Sequence, residues 1–223
     1  MVKLERYQAK TKRVNRRRVY EINGHQYPGV TTILSATKPA AARQALYEWR
    51  QRLGQEAAQA VSNKASSAGT RIHKQIAAYL RAESVDIPSD VTGYWESILP
   101  ILDQMDAPLL IEGAVWHDAG YVGFPDAVMV FQNQICVCDW KTALKPKKLE
   151  WVEDYCLQVA AYAQAIEQVY ADTGIEIQKA LIAIALDNAP AQTFWLERAD
   201  LQQHWRQFQQ RLKEFTTRRL RPI

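Results

Sequence analysis

The stretch GFPDAVMVFQNQICVCDWKTA, residues 123–143, decides the fold. Val, Ile and aromatic residues dominate both halves and favour pleated, half-buried backbone, and the polar break at Gln132 to Gln134 signals a turn between two strands. In the second half Ile135 and Val137 fall on one face and Cys136, Cys138 and Trp140 on the other. Both faces are apolar, so this strand is expected at the centre of a sheet, covered on both sides. Asp139 and Lys141 then sit at i and i+2, on one face at the end of the buried run. Two opposite charges there are costly unless paired, solvated or bound to a metal. Asp126 follows Gly123 and Pro125 on the preceding strand, and positions 126 and 139 are roughly symmetric about the turn, so pairing brings Asp126 alongside Asp139. Two adjacent carboxylates repel unless a cation lies between them, and oxygen ligands of this kind suit Mg²⁺ or Mn²⁺. The plain alternative is a surface salt bridge between Asp139 and Lys141, and an isolated D-x-K triplet is common by chance.

Working outward, residues 107–118, 121–132 and 134–143 read as three consecutive antiparallel strands. Residues 149–171 have the periodicity of a long amphipathic helix, 180–186 of an apolar strand, 193–196 of an edge strand and 201–220 of a closing helix. Upstream, RVYEINGHQYP (18–28) places Asn23-Gly24 between two short alternating runs, a β-hairpin with a type I′ turn. Thr31 or Thr32 is expected to cap a short helix. Residues 39–83 are helical in pattern with interruptions at Gly54 and Gly69, and 88–105 form a further helix with Ser89 or Asp90 as cap. The order predicts an α/β fold: a mixed central β-sheet flanked by helices, with a helical N-terminal section. With no repeat or low-complexity linker, residues 1–223 read as one domain. A basic hairpin and helical part cover about 1–106, and the core covers about 107–223.

The chain has 223 residues, 48% hydrophobic and 23% charged, with a formal net charge of +4. That is ordinary globular composition with a mild basic excess. The distribution is more informative. Lys10, Lys12, Arg13, Arg16, Arg17 and Arg18 crowd the start, Lys145, Lys147 and Lys148 the middle, and Arg218, Arg219 and Arg221 the end. Such clusters suit phosphate backbones, although a solvated tail has the same look. No run of about 18 apolar residues is present, so no membrane span is expected. The opening MVKLERYQAKTKRVNRRRVY lacks the apolar stretch of a secretory signal and the Ser-rich pattern of a transit peptide. A cytoplasmic location, bacterial or phage, is therefore expected ahead of an organelle. Three cysteines (Cys136, Cys138 and Cys156) are too few for a disulfide framework or a four-thiolate cluster, and they read as small core residues.

Five motifs in order resemble the PD-(D/E)XK nuclease superfamily, in its RecB-like exonuclease branch. GFPDAVMVF followed by ICVCDWKTA resembles that superfamily's GxPD…(D/E)xK core. AGTRIHKQIAAYL resembles the branch's Gly-x-x-x-His helix, giving Gly69 and His73. IEGAVWHDAGYVGFPD supplies Glu112 on the strand before the Asp, and YCLQVAAY resembles Gln-x-x-x-Tyr, giving Gln158 and Tyr162. VTTIL and LYEWRQRLG are also similar to segments of related phage and bacterial nucleases, so the resemblance covers most of residues 29–171. It implies a metal held by His73, Asp126, Asp139 and the backbone carbonyl of Trp140. It implies that Lys141 stabilises the attacking water or the scissile phosphate, and that Gln158 and Tyr162 contact DNA or hold the site together. Glu112 stands as a second metal ligand, a water-positioning base or a strand-end partner for Lys141. Some members carry an iron–sulfur cluster on one N-terminal and three C-terminal cysteines. No Cys precedes Cys136 or follows Cys156 here, so that cluster is not expected.

Trp151, Tyr155, Gln158 and Tyr162 share one helical stripe, and such a stripe is more often core than contact surface, so Trp151 and Tyr155 read as core. Trp49, Trp140 and Trp151, with basic residues nearby, could alternatively stack bases. His25, His117 and His204 match no motif. The functional expectation is a Mg²⁺- or Mn²⁺-dependent deoxyribonuclease, an exonuclease on single-stranded DNA with a free end, serving replication, recombination or repair. No GxxxxGK[ST] loop is present, so any helicase or recombination partner would be a separate protein. A structure- or sequence-specific endonuclease on the same fold would differ by cutting circles. A non-catalytic nucleic-acid-binding protein would differ by binding without turnover.

Overall fold

A computed structural model describes residues 3–14 and 17–220. Arg16 and Arg221 lie outside the described residues, as do the side chains of Arg17 and Arg219. The N-terminal part begins with strands β1 (Lys10–Val14), β2 (Arg17–Ile22) and β3 (His25–Tyr27), an antiparallel meander. Helices α1 (Val30–Ala36), α2 (Ala40–Leu53), α3 (Gln55–Leu80) and α4 (Thr92–Leu102) follow. Then come β4 (Pro108–Ile111), β5 (Val115–His117), β6 (Tyr121–Gly123), β7 (Ala127–Phe131) and β8 (Gln134–Ala143). Helix α5 (Glu153–Val169), strands β9 (Lys179–Leu186) and β10 (Ala189–Glu197) and helix α6 (Arg198–Leu220) complete the order.

Five strands form the central sheet in the order β10-β9-β8-β7-β4. Neighbours pair antiparallel except β8 and β9, which are parallel and joined through α5, so the sheet is mixed. Side-chain alternation sends Val128, Val130, Val137, Ile182 and Ile184 into a core shared with α1, α5 and α6. It sends Met129, Cys136, Cys138, Trp140, Leu181 and Ala183 into a second core with α3 and α4. The double covering expected of the third strand is present. All three cysteines are free and buried, as their core reading requires. The chain at Leu4 hydrogen-bonds along the outer edge of β4 (Leu4 N–H to Leu109 O, 2.8 Å), which protects that edge from pairing with another chain.

Two hairpin turns place both central residues at positive φ. Asn23 and Gly24 have φ of 50° and 79°, and Gln132 and Asn133 have 49° and 62°, the type I′ signature. Other expectations are corrected. The stretches 107–118 and 121–132 are each broken in two, at Glu112 to Ala114 and at Phe124 to Asp126, and β5 and β6 form a small sheet of their own. Pro125 has no N–H to give a ladder, and Glu112 takes a positive φ of 50°. Gly54 does end α2, but α3 runs unbroken through Gly69. Neither Thr31 nor Thr32 caps α1, whose N-cap is Gly29. Ser89 and Asp90 lie inside a single 3₁₀ turn ahead of α4 and cap nothing. The N-terminal section also carries β1, a strand the sequence reading did not include.

Candidate active site

Asp126 lies one residue before β7, and the register Ala127 to Cys138 carries it to the level of Asp139. Its side chain is held from two directions. Oδ2 accepts a hydrogen bond from the Trp140 amide at 2.7 Å, and Oδ1 lies 3.1 Å from His73 Nδ1. Its carbonyl accepts the Glu112 N–H at 3.1 Å, which ties the start of β7 to the end of β4. Asp139 points from β8 toward α5 and is 1% exposed. Its Oδ1 accepts from Gln158 Nε2 at 3.0 Å, and the same amide donates to the Tyr162 hydroxyl at 2.8 Å. Oδ2 is ion-paired with Lys141 Nζ but receives no directed hydrogen bond. Asp139 is thus buried and Lys141 half-buried, unlike the surface salt bridge that was the plain alternative.

Burial pushes the Asp139 carboxyl above its ordinary value, and the neighbouring Asp126 charge adds to this against the opposing pull of Lys141. Burial acts the same way on Asp126. There the charge and hydrogen bond of His73, the Lys141 charge and the Trp140 amide outweigh it, and the carboxyl is held below its ordinary value. The two neighbouring carboxyls are thus pushed apart, Asp139 toward its neutral form by burial and Asp126 toward its charged form by its cationic neighbours. Burial disfavours the His73 imidazolium and the Lys141 ammonium, but Asp126 and Asp139 outweigh it, so both cations are raised above their usual values.

His73 sits on α3 one turn after Gly69. A Cβ at Gly69 would lie 3.4 Å from Thr142 Oγ1, so the glycine lets α3 pass close to the end of β8. His73, Gly69, Lys74, Arg81 and Glu112 line a cavity of about 530 Å³ that opens beside Asp126. Glu112 is held by Arg81 (2.8 Å) rather than by Lys141, so the strand-end partnership with Lys141 is not formed. On the opposite side, Tyr162 packs over Gly123. A Cβ there would fall 2.4 Å from Tyr162 Cδ1, which makes the Gly of the GxPD stretch and the Tyr of the Gln-x-x-x-Tyr stretch one contact.

The donor chemistry fits a hard divalent cation, since two carboxylates share the end of a strand pair and a buried carboxylate oxygen, Oδ2 of Asp139, lacks a hydrogen-bond donor. Among the described residues no three His, Cys, Asp or Glu side chains converge into a ready-made cage. Asp126 is turned to His73 and Asp139 to Lys141 and Gln158, so holding a cation requires these pairs to exchange partners.

The structure also adds residues that the sequence reading passed over or misplaced. Tyr155, read as core, is half-buried with its ring 5.1 Å from Lys141 Nζ. Trp151, also read as core, is 56% exposed, and Trp140, offered as a base-stacking residue, is 2% exposed and unable to reach a base. Arg81 was missed, although it lies eight residues after His73 and so on the same helical face. Phe124 is exposed beside Asp126 and packs on Tyr20 at 4.8 Å between ring centres.

Comparison with known proteins places these features. The family model of the PD-(D/E)XK nuclease superfamily matches residues 30–222. The chain is similar to mitochondrial genome maintenance exonuclease 1 of Mus musculus, at 32% identity over 199 residues, covering 85% of this chain and 59% of that protein. It is 30% identical over 205 residues to the Homo sapiens protein of that name, covering 86% of this chain and again 59% of the relative. The chain thus spans less than two thirds of the curated relatives it matches. Among solved structures, a candidate exonuclease from Eubacterium rectale overlaps 69% of this chain and 66% of its own at 13% identity and a TM-score of 0.46. LHK-Exo in complex with dAMP overlaps 86% and 89% at 15% identity and a TM-score of 0.37. At these TM-scores the overlaps carry no argument of their own.

Proposed function

Because the chain belongs to the PD-(D/E)XK nuclease superfamily, we propose that it is a metal-dependent DNA exonuclease that hydrolyses phosphodiester bonds at single-stranded ends in genome maintenance. The observation that carries the proposal is the meeting of Asp126 and Asp139 at one strand-pair end, with Lys141 as a half-buried cation beside them. The names of the curated relatives support the exonuclease reading.

Asp126, Asp139 and His73, with the Trp140 carbonyl, would hold Mg²⁺ or Mn²⁺. In a strand the N–H and C=O of one residue leave by the same edge, so this carbonyl faces the edge where Asp126 meets the Trp140 amide. When bound, the ion supplies Lewis acidity that generates a nucleophilic water and neutralises charge on the phosphoryl oxygens. Lys141 keeps its charge despite burial and is proposed to orient the attacking water or the scissile phosphate. Gln158 fixes the Asp139 carboxylate by its hydrogen bond, and Tyr162 fixes Gln158. Glu112, on the cavity wall beside His73, is proposed to position water or substrate. We read residues 1–223 as one nuclease domain that works with a helicase or recombination partner, in the cytoplasm or, as the names of the mitochondrial relatives support, in an organelle. No helix of the described residues is long and apolar enough to cross a membrane.

The test compares end-labelled linear and circular single-stranded DNA with Mg²⁺ or Mn²⁺, alongside Asp139→Ala. The expected outcome is degradation of the linear form only, reduced by roughly 10³-fold in the variant. Cutting of circles identifies an endonuclease, and binding without turnover identifies a non-catalytic protein.

A further inference from the structure

The segment between β8 and α5 leaves the site directly after Lys141 and exposes three apolar side chains, Leu144 (63%), Leu149 (71%) and Trp151 (56%). Large apolar groups on a connection are normally folded inward or absent, so three within eight residues mark a contact surface. The segment is not loose. Gln192 of β10 clamps the Lys147 backbone, accepting its N–H at 2.8 Å and donating to its carbonyl at 2.7 Å. The Trp151 N–H closes a 3₁₀ turn onto the Lys148 carbonyl at 2.9 Å. Lys148 Nζ lies 5.5 Å from the Trp151 ring centre. Tyr155, four residues on, carries Lys141 Nζ over its ring, so the Trp151 platform follows the same chain directly into the site.

We propose that Trp151 is a stacking platform for a nucleobase of single-stranded DNA, with Lys148 and Lys145 on the flanking phosphates, in a subsite next to the cleavage centre. The proposal rests on the nuclease reading of that centre and names how its substrate is gripped. An exposed indole on an anchored backbone presents a π-face that any base can stack on. Stacking in this way requires an unpaired base, which selects single strands over duplex. Glu150 on the segment and Glu153 at the start of α5 offset two of the segment's three lysine charges, so the grip depends on stacking more than on charge. An incoming apolar protein surface would use Leu144 and Leu149 equally, whereas a base uses the indole plane.

The experiment measures fluorescence anisotropy of a labelled single-stranded oligodeoxynucleotide with the full chain carrying Asp139→Ala to prevent cleavage. Trp151, Trp151→Phe and Trp151→Ala forms are compared, with matching duplex as a second probe. Trp151→Ala is expected to weaken single-strand binding about tenfold, Trp151→Phe by less than about threefold, and neither to change duplex binding. The Trp is exposed, so an unchanged unfolding midpoint verifies that the variants are folded. Equal single-strand affinity of all three forms overturns the proposal, as does an equal loss on duplex. Cleavage by the chain with Asp139 intact is measured separately. If that chain cleaves while Trp151→Ala binds normally, only the platform fails. If it cleaves nothing while Trp151→Ala loses binding, the nuclease reading fails and the platform stands.

Discussion

Strand β8 and helix α2 are alike in composition and opposite in environment. Six of ten residues in β8 and eight of 14 in α2 are hydrophobic. Yet five consecutive residues of β8, Cys136 to Trp140, are buried, and α2 buries none, with Leu46, Tyr47 and Leu53 exposed. The difference lies in what each element is packed between. Strand β8 has a paired strand on either side and a helix layer on either face, so a charge placed on it must find a partner inside the protein. Helix α2 packs mainly on α3 and leaves its other faces to solvent. Burial therefore turns two residues of β8, Asp139 and Lys141, into a chemically strained site. The same hydrophobic content on α2 constrains little.

Three substitutions test that contrast. The largest effect is expected from Lys141→Ala, which removes the half-buried cation beside Asp139. Cleavage should fall about 10²–10³-fold while DNA binding persists. Single-turnover assays with a parallel binding titration check this, and unchanged cleavage removes Lys141 from its assigned role. Next is Gly123→Ala, whose methyl group meets the buried Tyr162 ring at 2.4 Å. Overpacking of this kind should cost about 1–3 kcal/mol in urea unfolding. The double variant with Tyr162→Ala should lose less than the two single effects summed, and strict additivity would mean that the contact does not govern the site. The smallest effect is expected from Tyr47→Ser on α2, within about 0.5 kcal/mol of the parent. A loss above 2 kcal/mol would show that α2 is covered in solution.

Much of the hairpin that carries Asp126 and Asp139 was legible in the sequence because its rules are local. The alternation of Ile135, Cys136, Val137 and Cys138 gave both faces, and the polar turn gave the meeting of Asp126 with Asp139. The breaks at Glu112 and Phe124 were less legible. Two apolar runs, 107–118 and 121–132, read as continuous strands, although a positive φ at Glu112 and the missing N–H of Pro125 divide each of them. Gly69 misled in the other direction. A glycine in a helical pattern suggests an interruption, but here it allows α3 to approach Thr142 without breaking. The aromatic stripe on α5 divided for a similar reason. Tyr162 is buried against Gly123, whereas Trp151 falls on the 3₁₀ turn before the helix and points outward.

By itself the sequence determined the mixed α/β order, the central position of β8 and the placement of Asp139 and Lys141 on one face. Those follow from a side-chain period of two and from residues that admit positive φ, both readable over a few positions. Only the tertiary structure decided who answers each charge. His73 reaches Asp126 across 53 residues, and Gln158 reaches back to Asp139 from the crossover helix α5. Only the tertiary structure, too, left Trp151 in solvent beside the site. Partners of buried charges are set by how layers pack, and packing joins residues that no local periodicity connects.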